Sequence, residues 1–141
     1  MKAISKMITI RTRSRFEIID ITAEVEKIVR EADVDNGFVL IHEPHTTAAV
    51  TINENDPSLF TDFINIYTKI APPNGEYEHN RKYMGIPSEQ NAHAHIISSL
   101  IKPSVVIPVI NGRIMLGTWQ RVLFIELDGP RTREVNIIVY Y

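Results

Sequence analysis

Apolar and polar positions along the chain follow a period that switches repeatedly between two and 3.6. Ile4, Ile8 and Ile10 alternate with Thr9, Arg11 and Arg13, which predicts a strand with one buried and one wet face. Ile21, Val25, Ile28 and Val29 then recur at helical spacing. Thr22 stands where a cap belongs, Glu24 and Glu26 fall in the first turn, and Asn36-Gly37 ends the unit. Phe38–His42 is apolar on both faces, as a central strand would be, and Ala48–Asn53 reads as its neighbour after a turn at Glu43-Pro44. Asp56-Pro57 opens a second helix, with Asp56 as its cap and Phe60, Phe63, Ile64 and Tyr67 as one continuous apolar face.

Ala71–Gln90 shows little periodicity, and irregular stretches of that length inside a domain are usually functional or mobile. A third helix is predicted over Asn91–Ile101. The remainder reads as strands at Val105–Ile110, Arg113–Gly117, Trp119–Leu127 and Thr132–Tyr141, with Asn111-Gly112 a hairpin turn and Asp128-Gly129-Pro130 a second turn. Helices inserted among consecutive hairpins make the fold class α+β, an antiparallel β-sandwich-like core with about three helices, in one domain over 1–141.

Composition narrows the function. With 141 residues, 44% hydrophobic and 23% charged, the chain has the profile of an ordinary globular domain. A net charge of −2 supplies no global positive field, so no nucleic-acid partner is expected. With no cysteine, any metal must be held by His, carboxylate or water. The basic N-terminal stretch lacks the apolar core of a signal peptide, and Val105–Ile110, broken by Pro108, is far too short to span a bilayer. A cytoplasmic protein without a membrane partner is the expectation.

Five histidines, at 42, 45, 79, 93 and 95, crowd the middle of the chain. Imidazole is the commonest zinc ligand and the usual proton shuttle near neutral pH. On a helix, Asn91 and His95 share a face that Ser98 and Ser99 extend, while His93 points about 200° away and is expected to face solvent. His42, inside an apolar strand, is expected to be a core imidazole bonded to a carbonyl. His45 stands in a polar link between two strands, where a ring can be presented at a sheet edge. Glu54 is free to act as a general base, a fourth ligand or a surface charge. Arg131 and Arg133 are suited to grip an anion, with an Arg131–Asp128 ion pair as the ordinary alternative.

Six segments, Pro44-His-Thr-Thr-Ala48, Thr51-Ile-Asn-Glu-Asn55, Tyr77-x-His79, Asn91-Ala-x-Ala-His95, Gly117-Thr-Trp-Gln120 and Asp128-Gly-Pro-Arg131, together resemble the YjbQ-like family, often labelled secondary thiamine-phosphate synthase. The resemblance spans nearly the whole chain. It implies a small α+β homotrimer with a β-sandwich-like core. It also implies that His45, His79 and His95 hold a divalent metal, zinc by preference, with an open fourth position; His93, where the family commonly has an acidic residue, is left out. The activity it implies is a weak thiamine-phosphate synthesis, joining hydroxymethylpyrimidine diphosphate to thiazole phosphate with loss of pyrophosphate. Glu54 would then handle a proton, and Asn91, Gln120 and Arg131 would bind the small phosphorylated substrate. A three-His site also suits a zinc-dependent hydrolase or phosphate-transfer enzyme on a small anionic substrate. A non-enzymatic trimeric module that binds a metal or metabolite is the third possibility.

Overall fold

Strand alternation carries through to the architecture. The computed structural model describes residues 1–141. Its elements are β1 (Ala3–Arg11), β2 (Glu17–Asp20), α1 (Thr22–Ala32), β3 (Gly37–His42), β4 (Ala48–Asn53), α2 (Pro57–Ile70), α3 (Glu78–Lys82), α4 (Ala92–Leu100), β5 (Ser104–Ile110), β6 (Arg113–Ile114), β7 (Arg121–Glu126) and β8 (Thr132–Tyr140). They form a five-stranded sheet ordered β1-β8-β3-β5-β6 and a three-stranded sheet ordered β2-β7-β4. Every pairing is antiparallel. The expected α+β class with a sandwich-like core holds, with three longer helices and the short α3.

The two sheets face each other across one core. Val39 and Ile41 of β3, Val105, Ile107 and Val109 of β5, and Val135, Ile137 and Val139 of β8 meet Val50 of β4 and Val122 and Phe124 of β7. Val25, Ile28 and Val29 of α1 join the same cluster. The smaller sheet is covered on its other side too. Ala49, Ile125 and Leu127 pack there against Ala94 and Ile97 of α4, with Tyr67 of α2 and Phe16 at the margin. β7 is therefore the central layer, buried on both faces.

Several local expectations are corrected. The Thr22 hydroxyl does not cap α1; it accepts the Val122 N–H at 2.8 Å, and Asp20 Oδ1 takes the Thr22 N–H at 2.9 Å instead. The short β2 just before α1 was not anticipated, because four residues give too little alternation to read. Arg113–Gly117 shrinks to Arg113–Ile114, since Gly117–Gln120 is tied up as its own turn by Gln120 N donating to Gly117 O at 3.0 Å. The stretch over 71–90 holds α3 and a single 3-10 turn at Pro87–Glu89. Asp56 caps α2 as expected, its carboxylate accepting from Ser58 N at 2.9 Å. Asn111 and Gly112 adopt φ of 51° and 75°, the left-handed pair a tight hairpin turn requires.

Candidate functional site

The inward-facing rows of the sandwich begin apolar and end polar, all at the same end. On β3 the row Val39, Ile41 continues to Glu43, whose N–H still pairs with Pro103 O at 2.8 Å. On β7 the row Val122, Phe124 ends in Glu126, and on β8 the row Val139, Ile137, Val135 ends in Arg133. β1 contributes Thr12 beyond Ile8 and Ile10. These groups form one buried polar layer. Arg133 donates to both Glu126 oxygens, at 2.9 and 2.5 Å, and to the Thr47 hydroxyl at 2.9 Å, while Thr12 donates to Glu126 at 2.8 Å. The expectation that Arg133 grips an anion is thus overturned: strand parity turns it inward, where Glu126 consumes its charge.

Outside that layer lies the link between β3 and β4. Glu43, fully buried, accepts at Oε1 from the His45 N–H at 2.8 Å and bonds His45 Nδ1 at 2.6 Å. Burial pushes the Glu43 carboxyl above its usual value, against the opposing pull of its bonds to His45 and the charge of Arg133. Its Oε2 is buried without a partner. His45 lines a cavity of about 340 Å³ with Thr46, His95, Ser98, Ser99 and Pro103. The helical face that runs from His95 to Ser98 and Ser99 therefore does open on the site, and Ser98 fastens α4 to the link by donating to Thr46 O at 2.7 Å.

His79, on α3, places its ring 4.9 Å from that of His95 and 5.0 Å from that of Tyr83. α3 is seated by local bonds: Gln90 Nε2 donates to Tyr83 O at 2.7 Å, and Ala92 N to Asn80 Oδ1 at 3.1 Å. Burial and the neighbouring His79 hold His95 below the usual imidazole value, which favours the neutral ring that metals take. His45, His79 and His95 thus gather around α4 from three elements. As placed, no three His, Asp or Glu side chains are close enough to form a metal-binding group. The donor set still has the residue types of one: three imidazoles, one backed by a buried carboxylate in the manner of metal-bound histidines.

Asn91 and Arg131 are joined through Asp128. Asn91 Nδ2 donates to Asp128 Oδ2 at 2.8 Å, and Arg131 binds the same oxygen at 2.7 Å, so the ordinary ion pair is the one formed. Asn91 Oδ1 remains buried and unpartnered. Glu54 and Gln120 are not brought to the histidines. They follow and precede the Asn53↔Arg121 pair, whereas His45 lies beyond the Ala48↔Glu126 pair at the other end of the same ladder. At about 3.3 Å per residue that separation is roughly 17 Å. Gln120 turns back on its own loop, Oε1 accepting Gly117 N–H at 2.8 Å.

His93 is corrected outright. It is fully buried, with Nε2 at 3.2 Å from Leu127 O and its ring edge-on to Phe16. Helix phase separates it from His95 as expected, but α4 is sunk onto the smaller sheet, so the face opposite the cavity is core. Burial holds its pKa down, with the charge of Arg15 adding to the effect. His42 points to the outer face of the larger sheet, half-buried, and bonds Ser104 Oγ at 2.6 Å rather than a carbonyl. Glu43 is the buried residue that the sequence reading leaves out, although the alternating row Val39, Ile41, Glu43 already points it inward.

A larger cavity, of about 450 Å³, lies between α1 and the Asn111-Gly112 turn. Its wall mixes Glu26 with Arg30 and Arg113 and has no histidine. No helix is long and apolar enough to cross a membrane.

Comparison with known proteins agrees with this fold. Residues 6–140 match the family model described as UPF0047 protein YjbQ-like. A UPF0047 protein of Archaeoglobus fulgidus is 45% identical over 130 residues, covering 92% of this chain and 96% of that one. YugU of Bacillus subtilis is 44% identical over 133 residues, covering 94% and 96%. Among solved structures, a YbjQ-like protein from Sulfolobus solfataricus P2, described as of unknown function, superposes with a TM-score of 0.91 at 34% identity, covering 98% of this chain and 96% of that one. A hypothetical protein from Aeropyrum pernix K1 gives 0.90 at 40% identity, covering 96% and 97%. Fold, length and sequence agree over the whole domain, and the chain belongs to the YjbQ-like UPF0047 family.

Proposed function

We propose that the chain is a metal-dependent enzyme acting on a small phosphorylated substrate in the cavity between the β3–β4 link and α4, by hydrolysis or phosphate transfer. The observation that carries this is the pairing of His45 with fully buried Glu43 at the wall of a cavity shared with His95. His45, His79 and His95 would hold the metal, zinc by preference. When bound, such a metal supplies charge neutralisation at a phosphate oxygen and lowers the pKa of a bound water. Ser98 and Ser99 line the cavity, their hydroxyl protons donated to Thr46 O and Ile96 O, so each oxygen would meet the substrate or its water as an acceptor. Arg131, 40% exposed and paired with Asp128, would lend positive charge to the phosphorylated substrate.

Thiamine-phosphate synthesis, which the family resemblance implies, is the finer possibility. It asks for a proton handler on the reacting groups, and Glu54 lies too far along β4 to serve within one chain. Hydrolysis asks for a water, and phosphate transfer for an acceptor hydroxyl in its place, beside imidazoles that can themselves carry the proton to the leaving group, so it is the reading the geometry favours.

Homotrimeric assembly belongs to the same proposal. The outer face of the larger sheet carries Phe38, Leu40, Val106, Pro108, Ile110, Ile138 and Tyr140 with no helix over it, and Val106 is 57% exposed.

The test is elemental analysis of protein purified without added metal, with light-scattering mass and turnover of a phosphate-ester panel, for wild type, His45→Ala and His95→Ala. Wild type should carry about one metal per chain, and each variant should lose it, along with turnover, at unchanged mass. Equal metal in all three proteins would sink the metal site. Loss of the oligomer with the metal would instead favour the non-enzymatic trimeric module.

A further inference from the structure

Glu43 occupies a place that stability alone does not explain. It sits at the end of an apolar inward row, fully buried, and one of its two carboxylate oxygens has no partner. An unsatisfied buried acceptor costs about 1–3 kcal/mol, and more when charged. An apolar side chain of similar volume would avoid that cost. What the carboxylate does instead is directed wholly at His45: Oε1 meets both the backbone N–H and ring Nδ1 of that residue, at 2.8 and 2.6 Å. The residue is thereby held at two points, one on its backbone and one on its ring, which restricts rotation about χ1 and χ2. Other buried charges nearby, Glu126 and Arg133, satisfy each other and leave Glu43 to this single task.

We propose that Glu43 is the positioning residue of the site, fixing His45 as the Nδ1–H tautomer so that the Nε2 lone pair alone is presented to the cavity shared with His95 and Ser98. This rests on the metal-site proposal for its consequence, but its core statement concerns the metal-free ring. A neutral imidazole has one donor and one acceptor nitrogen, and which is which follows from the bond the other makes. Oε1 already accepts the His45 backbone N–H, so it faces Nδ1 as an acceptor as well, and Nδ1 is assigned the proton. Residues that orient a metal-bound histidine in this way typically account for about 10–100-fold in metal affinity.

Two variants separate orientation from packing. Glu43→Leu keeps the volume and removes the acceptor, whereas Glu43→Gln keeps an acceptor oxygen and removes the charge. Long-range proton–nitrogen NMR of metal-free protein at pH about 8.5, where an ordinary imidazole is neutral, reports the His45 tautomer directly. Wild type and Glu43→Gln should show Nδ1–H; Glu43→Leu should show a mixture. Zinc affinity, read by competition with a chromophoric chelator, should fall about 10–100-fold in Glu43→Leu and less than about 10-fold in Glu43→Gln. Nε2–H in wild type, or an unchanged tautomer and zinc affinity in Glu43→Leu, overturns the proposal. Should Glu43→Leu fail to fold, the wild-type tautomer and the Glu43→Gln affinity still decide it. If wild type binds no zinc but its His45 is Nδ1–H and loses that order in Glu43→Leu, the metal reading fails while the positioning role stands.

Discussion

At one end of the β4–β7 ladder, Arg133 and Glu126 are 4% and 0% exposed and lock together with Thr12 and Thr47; at the other, Arg121 and Asp20 are 41% and 14% exposed and meet at a single 2.7 Å contact. Both are Arg–carboxylate pairs on the same small sheet. They differ in what stands behind them. The buried pair backs Thr47 and, through it, the link that carries His45. The outer pair ties β7 to the residue that starts α1, since Asp20 also takes the Thr22 N–H. The comparison teaches that burial of charge in this fold marks the end where the histidines gather, while the opposite end uses its polar groups to close turns and begin a helix.

The comparison breaks most readily at Arg133. Replacing it with Met leaves Glu126 buried without its partner, and the expected loss is about 3–5 kcal/mol in urea unfolding at neutral pH. The double replacement Arg133→Met with Glu126→Gln should recover most of that loss, because the cost lies in the orphaned charge rather than in the absent pair. A single-variant loss under about 1 kcal/mol would mean the buried end is no different from the outer one.

Asp20→Asn sharpens the other side. Arg121 is substantially solvated, so the pair is worth less, and a loss of about 0.5–1.5 kcal/mol is expected at pH 7. Burial acts to raise the Asp20 pKa, but its bonds to Arg121 and Thr22 outweigh it and hold the carboxyl below its ordinary value of 3.8. The sign follows: a depressed carboxylate contributes its full stability above the unfolded value and loses it as pH falls through the folded one. The gap between wild type and Asp20→Asn should therefore be constant above pH about 4 and narrow steadily below it. A gap that widened on acidification would reverse the assignment.

The same contrast explains what could be read from the chain alone. Elements with long, regular patterns were legible: the alternation of β1, the apolar face of α2, the Asn111-Gly112 turn and the face of α4 that carries His95. Positions whose meaning depends on a partner layer were not. His93 has the helical phase expected of it, yet only the docking of α4 on β7 decides that the face opposite His95 is core. Arg133 and Glu126 are ordinary charges in sequence, and become a buried pair only when two sheets close over them. Glu43 was the exception, since parity with Val39 and Ile41 already pointed it inward; the Glu43-Pro44 turn signal masked it. Thr22 likewise looked like a cap until the β2–β7 pairing brought the Val122 N–H to its hydroxyl.

The smallest expected effect is the most pointed test of whether the outer end belongs to the site at all. Gln120 and Glu54 both fall within segments that carry the family resemblance, yet Gln120 spends its carbonyl on Gly117 and Glu54 lies roughly 17 Å of strand away from His45 at about 3.3 Å per residue. Within one chain neither reaches the cavity. Gln120→Ala and Glu54→Gln should each change stability by no more than about 1 kcal/mol and leave zinc affinity within about twofold of wild type. Trp119, 71% exposed on the same turn, should tolerate Ala equally well. A tenfold loss of zinc affinity in either polar variant, with folding intact, would place that end beside the histidines. Because the chain's own ladder holds the two apart, only the corresponding end of a neighbouring copy could then supply it.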